Sequence, residues 1–339
     1  MSAKHPIKSV QDVFDLADSY CEAALLQFAN GVGLFEMLKD PLRTQDIAAN
    51  LGWVNRKTGI VLDALASLGL LVKNGECYQN SFITNDCLLR SARGYIGDLV
   101  EHERLQWSLW GKMDEVVRSA SAVEGQQDLV LPKNSKANDV FHSAMMQLSQ
   151  EIADTVASLP CWKEKRKVID LAGGHGRYLA FLAERNPELC GEIWDLPSAQ
   201  QFAERTLKDY ALQSRIQFHA RDIGLPENYR ANTADGALLI HCLHHFSDAG
   251  IRQIMESVFK MLTPGGALVV VDVFLERNRI EPVSGAMFSL YMMMNTRYGE
   301  VYPIAELAEL MEQVGFRAEV RRLGNMEDDA LIIGVKEKS

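Results

Sequence analysis

Three groups of residues in the second half of the chain have types and spacings that could do chemistry. The first is Val168-Ile-Asp-Leu-Ala-Gly-Gly-His-Gly-Arg-Tyr178, an apolar run closed by an acid and followed by a glycine-rich turn. A helical pattern then starts at Tyr178-Leu-Ala-Phe-Leu-Ala183. Strand, tight turn and helix in this order bring bare backbone and a helix start to whatever lies above the strand end. The turn reads Asp170-x-Ala172-x-Gly174-x-Gly176, so it is neither the G-x-G-x-x-G dinucleotide fingerprint nor a P-loop. The second group is acidic. Asp170 either accepts a hydrogen bond from a ligand amine or holds the turn. Asp195 closes the next apolar run, Gly191-Glu-Ile-Trp-Asp195, and has two acceptor oxygens for the two hydroxyls of a ribose. About 25 residues apart, the two acids together favour an adenosine moiety. Asp222, in His219-Ala-Arg-Asp-Ile-Gly224, reads either as a partner of the adenine amino group or as a turn-capping Asp. The third group is His241-Cys-Leu-His-His245. His241 and His245 would face one metal together only on a helix, and this segment reads as a strand end, so no metal is expected. His175 reads as a turn residue beside the ligand.

The elements that position these groups follow from periodicity. Strands are expected at 167–171, 191–195, 215–220, 236–241, 266–273, 317–323 and 330–336, with helices between most of them and a turn at Thr263-Pro-Gly-Gly266. This alternation predicts an α/β fold, a mostly parallel sheet covered by helices on both faces. The last two strands are separated only by the short break from Gly324 to Asp329 and should pair antiparallel at a sheet edge. Lys163-Glu-Lys-Arg-Lys167 reads as a solvated link into the first strand.

The first 160 residues are organised differently. Residues 10–38 carry Val13, Leu16, Ala17, Cys21, Ala24, Leu25, Phe28, Ala29 and Leu34 at helical spacing, interrupted at Gly31 and Gly33. The Ala-rich stripe suits close helix packing or a subunit interface. Thr44–Gly52 predicts a short helix capped by Thr44, Asn55–Gly69 a second helix, and Leu70–Tyr78 a hairpin turning at Asn74-Gly75. Helix, turn, helix, hairpin is a winged-helix pattern, whose readings are DNA binding or a dimer-forming module. Residues 94–160 look helical, with Trp107 and Trp110 expected on one helix face. The exception is a loop from Ser119 to Ala137, with Leu129-Val-Leu131 as its apolar anchor.

At this point the residues resemble a known family. The glycine turn, Trp194-Asp-Leu-Pro197, Arg221-Asp222, the histidine segment and Thr263-Pro-Gly-Gly266 fall in the order of class I S-adenosylmethionine-dependent methyltransferases. Nearly the whole chain resembles the small-molecule O-methyltransferases that act on plant phenolics and on bacterial aromatic and polyketide products. The resemblance implies a seven-stranded Rossmann-like domain at 161–339, an α-helical winged-helix dimerisation domain at 1–100, and a helical, substrate-covering region at 101–160. It implies S-adenosyl-L-methionine as cofactor, bound by Asp170, Gly173, Gly174, Gly176, Asp195, Leu196, Arg221, Asp222 and Ile223, with S-adenosyl-L-homocysteine as product. Aligning Phe246-Ser-Asp248 with the family's catalytic segment puts the general base on His244, and His245 stands where the family has Asp. Asp272, closing Val269-Val-Val-Asp272, and Glu300, in Tyr298-Gly-Glu-Val301, match the two acids that orient the base. Phe141 and Met145 match residues near the methyl donor and acceptor. Met287 and Met292-Met-Met294, Met293 among them, fall in the helix over the acceptor. Ala172 replaces the first turn glycine of the family.

Such a set suits a phenol. The free phenol ionises near pH 10, so a neutral imidazole within hydrogen-bond reach is needed to remove its proton as the oxygen attacks. A carboxylate behind the ring fixes the tautomer. Three function classes remain: an O-methyltransferase; the same fold acting on carbon or nitrogen, or using the cofactor without methyl transfer; and a winged-helix regulator that senses the cofactor. Of 339 residues, 35 are Lys or Arg and 45 Asp or Glu, a formal charge of −10 that argues against a nucleic-acid partner. The six cysteines form no CxxC pair, and no apolar run approaches a membrane span. With no signal-like apolar core in Met-Ser-Ala-Lys-His-Pro-Ile-Lys, a cytoplasmic protein is expected, and the resemblance implies a homodimer acting on a small molecule.

Overall fold

The computed structural model describes residues 7–126, 135–323 and 329–337. The expected anchor Leu129–Leu131 and most of the break after Gly324 lie outside the described residues. The chain divides into two units. One holds the described residues up to Gly111 together with Asp139–Gln147; the other holds the described residues of Lys112–Asn138 and everything from Leu148 on. Residues 101–160 fall partly in one unit and partly in the other.

In the first unit the helix Val10–Gly31 begins with a capping box, in which Ser9 and Asp12 satisfy each other's backbone N–H. Gly33, at positive φ, breaks it from the short helix Leu34–Met37. The helix Thr44–Leu51 ends as expected on left-handed Gly52, but Thr44 is its first residue, not its cap; Arg43 stands at the cap and gives no side-chain bond. Asn55–Ser67 follows, then β2 (Leu71–Asn74) and β3 (Cys77–Asn80), which turn through Gly75-Glu76, one residue later than the sequence suggests. A two-residue strand β1 (Leu42–Arg43) adds to the other side of β3. Leu34, Phe35, Leu38, Ile47, Leu62 and Leu65 form the core. Trp107 and Trp110 bound a four-residue helix, and Trp107 is half-exposed.

The second unit is a seven-stranded sheet in the order β6-β5-β4-β7-β8-β10-β9. Its strands are β4 (Lys167–Leu171), β5 (Cys190–Asp195), β6 (Ile216–Ala220), β7 (Ala234–Ile240), β8 (Leu262–Val273), β9 (Phe316–Arg322) and β10 (Asp329–Lys336). β4 to β8 are parallel, whereas β10 runs antiparallel to both its neighbours and carries β9 at the edge. The expected loop from Ser119 ends early, because a helix begins at Ser135. Thr263-Pro-Gly-Gly266 has no partner in register on β7 and sits just ahead of the continuously paired stretch that starts at Ala267, with Gly265 at positive φ. It lies within β8, where the register against β7 jumps from Ala234–Leu262 to Gly236–Ala267. The Lys163–Lys167 link is held from both ends: Lys165 Nζ donates to the Gly265 carbonyl, and Asp235 accepts from the N–H groups of Arg166 and Lys167.

Alternation along the strands makes two cores. Val168, Leu238, Val269 and Leu331 pack under the helices Gln150–Ala157 and Arg177–Arg185. Ile169, Leu239, Val270 and Ile332 pack under Asp248–Met261 and Ile304–Val314. Asp170 shares the parity of Val168, so its carboxyl is carried to the covered face. Gly236 is small because Trp162 and Val168 fill its side of the sheet: a Cβ there would stand 2.9 Å from each. Gly236→Ala should therefore cost about 1–3 kcal/mol of stability by overpacking, read as a lowered Tm with methyl transfer retained at permissive temperature.

Candidate active site

The chemistry-bearing residues gather at the C-terminal ends of β4, β5, β7 and β8, where open α/β sheets bind ligands. After β4 the chain turns through Ala172, Gly174 and Gly176, all at positive φ. The turn is pinned by Gly173 N–H to the Trp194 carbonyl, and by Gly176 N–H to the Gly173 carbonyl at 2.7 Å. Gly173 passes so close over Asp170 that a Cβ would lie 2.6 Å from its carboxyl carbon. Ala172 adopts the left-handed conformation with a Cβ, at a cost on the order of 1 kcal/mol.

Asp170 is buried, and neither carboxylate oxygen has a hydrogen-bond partner among the described residues. Burial first, and the charge of Asp195 second, push its carboxyl up to about 8, weakly opposed by the Leu179 N–H. Asp195, at the end of β5, accepts from Gly174 N–H at 2.7 Å and from Leu196 N–H at 2.6 Å. Burial raises its carboxyl above the usual range, against those two donors. Beyond β6, Arg221 lies over the Trp194 ring at 4.4 Å and donates its N–H to the Asp195 carbonyl. Asp222 is exposed and accepts from Gly224 N–H, and Ile223 is buried with its carbonyl taking the Tyr229 hydroxyl. Asp222 thus caps its turn through Oδ1. His175 is buried in the turn, its Nδ1 accepting from Arg177 N–H.

His244 follows β7, two strands from Asp195 on β5, and Asp272 lies on β8, three strands from it. β7 ends at Ile240, His241 takes a positive φ, and one tight turn, Leu243–His245, presents His244. Ser247 then caps the helix Asp248–Met261, which gives Phe246-Ser-Asp248 a structural reason. His244 is 5 % exposed, and its Nδ1 sits 2.5 Å from Asp272 Oδ1 near the end of β8. Asp272 also accepts from Val273 N–H at 2.9 Å. Burial works to raise the Asp272 carboxyl, but His244 and His241 outweigh it and hold it well below the usual carboxylate range. His245 packs its ring 4.4 Å from that of His244, and its buried Nδ1 has no partner among the described residues. Burial, then His244, lower it to about 3, so it is neutral.

Glu300 is not at this pair. It is half-exposed and lies 3.8 Å from Arg279. The close neighbour is Gly299, where a Cβ would stand 2.6 Å from the His244 carbonyl. Among the described residues, Asp272 is the carboxylate within hydrogen-bond reach of the His244 ring. Phe288 meets the ring edge-to-face at 5.0 Å, a contact that the sequence reading missed although Phe288 lies beside the methionines it singled out. Met287 is exposed, Met293 half-buried with its carbonyl taking Gln126 Nε2, and Met292 and Met294 are core. Phe141 and Met145 belong to the helix Ser135–Leu148, in the part counted with the N-terminal unit; Phe141 meets His102 at 5.7 Å and His142 at 5.2 Å. Among the described residues no group of three or more His, Cys, Asp or Glu is arranged to hold a metal ion, and no helix is long and apolar enough to cross a membrane.

A seven-stranded sheet in this order, with β10 antiparallel to both its neighbours and a glycine turn after β4, is the fold of a class I methyltransferase. Comparison narrows this further. A profile described as an O-methyltransferase domain matches residues 126–317, and one described as an O-methyltransferase dimerisation domain matches residues 14–89. The chain belongs to this O-methyltransferase family, and S-adenosyl-L-methionine is its methyl donor. A solved O-methyltransferase family protein from Burkholderia thailandensis is 35% identical, with a TM-score of 0.93 over 98% of this chain and 100% of that one. Two Streptomyces relatives are each 26% identical over 98% of both chains: the N,N-dimethyltransferase OxyT of S. rimosus and the tetracenomycin polyketide synthesis 8-O-methyltransferase TcmO of S. glaucescens.

Proposed function

We propose that the enzyme methylates a hydroxyl of a small aromatic, phenolic or polyketide-like natural product, with His244 as the general base. The observation that supports this most directly is the buried His244–Asp272 pair. A carboxylate held below its usual range accepts Nδ1–H, which leaves the Nε2 lone pair to take a proton. Phe288 restrains the ring plane. Asp272 is then a positioning residue and His244 the catalytic one.

The residues at β4 and β5 fit the methyl donor. Asp170 has two unpartnered oxygens for its ammonium group, and each Asp195 oxygen keeps acceptor capacity for ribose hydroxyls. Gly173 and Gly174 let backbone approach the ligand, and Leu196 and Ile223 flank the adenosine side. When bound, S-adenosyl-L-methionine supplies the electrophilic methyl group. The protein's share is alignment and proton removal: the acceptor oxygen is held in line, and His244 Nε2 takes its proton as the new bond forms. Met287 and Met293 offer the acceptor an adaptable apolar wall.

The test is a panel of phenols, enolic polyketides and aryl amines assayed for S-adenosylhomocysteine release, with the methylated atom located by mass spectrometry and NMR. Transfer to a hydroxyl is the expected outcome. Aryl amines are included because OxyT is named an N,N-dimethyltransferase; methylation confined to amines would remove the hydroxyl reading.

The same reading makes the enzyme a cytoplasmic homodimer with no nucleic-acid partner. The helix Val10–Gly31 exposes Val10, Val13, Phe14, Leu16 and Tyr20, an apolar stripe within and beside the matched dimerisation segment. Val13→Glu with Phe14→Glu should convert the dimer to a monomer in light scattering. A dimer of unchanged mass in that double variant would move the interface elsewhere.

A further inference from the structure

We propose that His241 is a positioning residue for methyl transfer: set between Asp272 and Asp329, it shares the Asp272 carboxylate with His244 and so governs the pH at which His244 is free to take a proton. The geometry is a row of four groups across the ends of β7, β8 and β10. His244 Nδ1 lies 2.5 Å from Asp272 Oδ1, His241 Nδ1 lies 3.8 Å from that same oxygen, and His241 Nε2 lies 3.9 Å from Asp329 Oδ1. Each His241 nitrogen thus faces a carboxylate, and only the imidazolium has an N–H for both.

The backbone supports the arrangement. His241 is a non-glycine residue at φ 48°, tied by its N–H to the Val271 carbonyl at 2.8 Å. Left-handed backbone is costly for a residue with a Cβ, and here it ends β7 with the ring between the ends of β8 and β10. Burial works to lower His241, whose ring is partly exposed, but Asp272 and Asp329 outweigh it and raise it above the ordinary histidine value. Among the described residues the other ionisable groups at this end of the sheet include Asp170 on β4, Tyr178 and Arg177 on the following helix, Asp195 on β5, Cys242 next to His241, and neutral His245. None of them supplies Asp272 with a second histidine contact.

A cation at His241 offsets part of the negative field that Asp272 and Asp329 impose on His244. Without it, the His244 imidazolium is favoured and the base is occupied to a higher pH. This inference rests on His244 being the base for its kinetic consequence, but not for the coupling itself. His241→Asn removes the charge with a residue that tolerates left-handed backbone. In protein carrying ring-labelled histidine, the His244 carbon signal of His241→Asn should titrate about one unit higher than in the wild type. The acid limb of kcat should move up with it. In the wild type the His241 signal should titrate above the ordinary histidine range, a readout that needs no variant to fold. A His244 titration unmoved by His241→Asn, or a wild-type His241 that is neutral near pH 7, would overturn the proposal. A His244 signal that moves while the acid limb stays fixed upholds the coupling and removes His244 as the base.

Discussion

His244→Ala is expected to lower kcat by on the order of 10²–10⁴-fold while leaving the dissociation constant for S-adenosylmethionine unchanged. The reasoning rests on separation. His244 hangs from the turn after β7 and is tied to β8 through Asp272, whereas the residues that fit the cofactor are carried by the turns after β4, β5 and β6. Removing the imidazole leaves the glycine turn, Asp170 and Asp195 untouched, so binding measured by calorimetry should hold. Asp272→Asn should produce a smaller loss in the same direction, because an amide reverses the preferred tautomer of the ring without removing it. Alkaline pH should partly rescue His244→Ala with a phenolic acceptor, since the acceptor then ionises unaided. Undiminished turnover in His244→Ala would discard it as the base and turn attention to His245.

Much of this arrangement is legible in the sequence because it is local. The alternation from Lys167 onward fixes seven strands within a few residues, and the Asp-x-Ala-x-Gly-x-Gly spacing marks the turn that departs from β4. Local chemistry also explains Gly52, whose left-handed conformation stops a helix where the sequence says it should. What the sequence leaves open depends on contacts between strands. Thr263-Pro-Gly-Gly266 has turn composition, but only the pairing of its two flanks, Leu262 and Ala267, with β7 shows that it forms a register jump within β8. Glu300 matches an orienting acid by position, but it lies half-exposed beside Arg279, a pairing that no local pattern encodes. His241 looks like one of three clustered histidines; only the neighbouring order of β7, β8 and β10 puts two carboxylates around it.

The methionines teach the same distinction. In Met292-Met-Met294 the sequence offers three equal candidates for the acceptor wall. Helical rotation buries Met292 and Met294 in the core and leaves Met293 only half-covered, so one of the three keeps that role in the proposed site. Phe288, one turn earlier, reaches the His244 ring instead. Composition of a segment can thus point to a site, while the face each residue occupies decides its part in it.

Asp170→Asn is expected to weaken cofactor binding and, at the same time, to stabilise the cofactor-free protein at alkaline pH. In the unfolded chain an aspartate ionises near pH 3.9, whereas burial and Asp195 keep the folded carboxyl protonated up to about 8. Between those two values the native state binds more protons than the unfolded state. Stability contributed by this group is therefore full below about pH 4, declines as pH rises and levels off above about pH 8. Asn carries no such titration. At pH 8.5 the Asp170→Asn protein should exceed the wild type by a few kcal/mol, at most ~5 from the size of the shift, and the gap in Tm should close by about pH 4. Binding should move the other way. A carboxylate that meets a ligand ammonium contributes more than a neutral hydrogen bond, so its loss should cost about 10–100-fold in affinity. Because the ammonium favours the ionised carboxylate, cofactor binding to the wild type near pH 7 should release close to one proton, seen as a dependence of the calorimetric heat on buffer ionisation. Asp170→Asn should lose that dependence. Equal affinity in the two proteins would place the ammonium elsewhere, and a variant less stable than the wild type at pH 8.5 would mean that the orphaned carboxyl holds the glycine turn together instead of straining it.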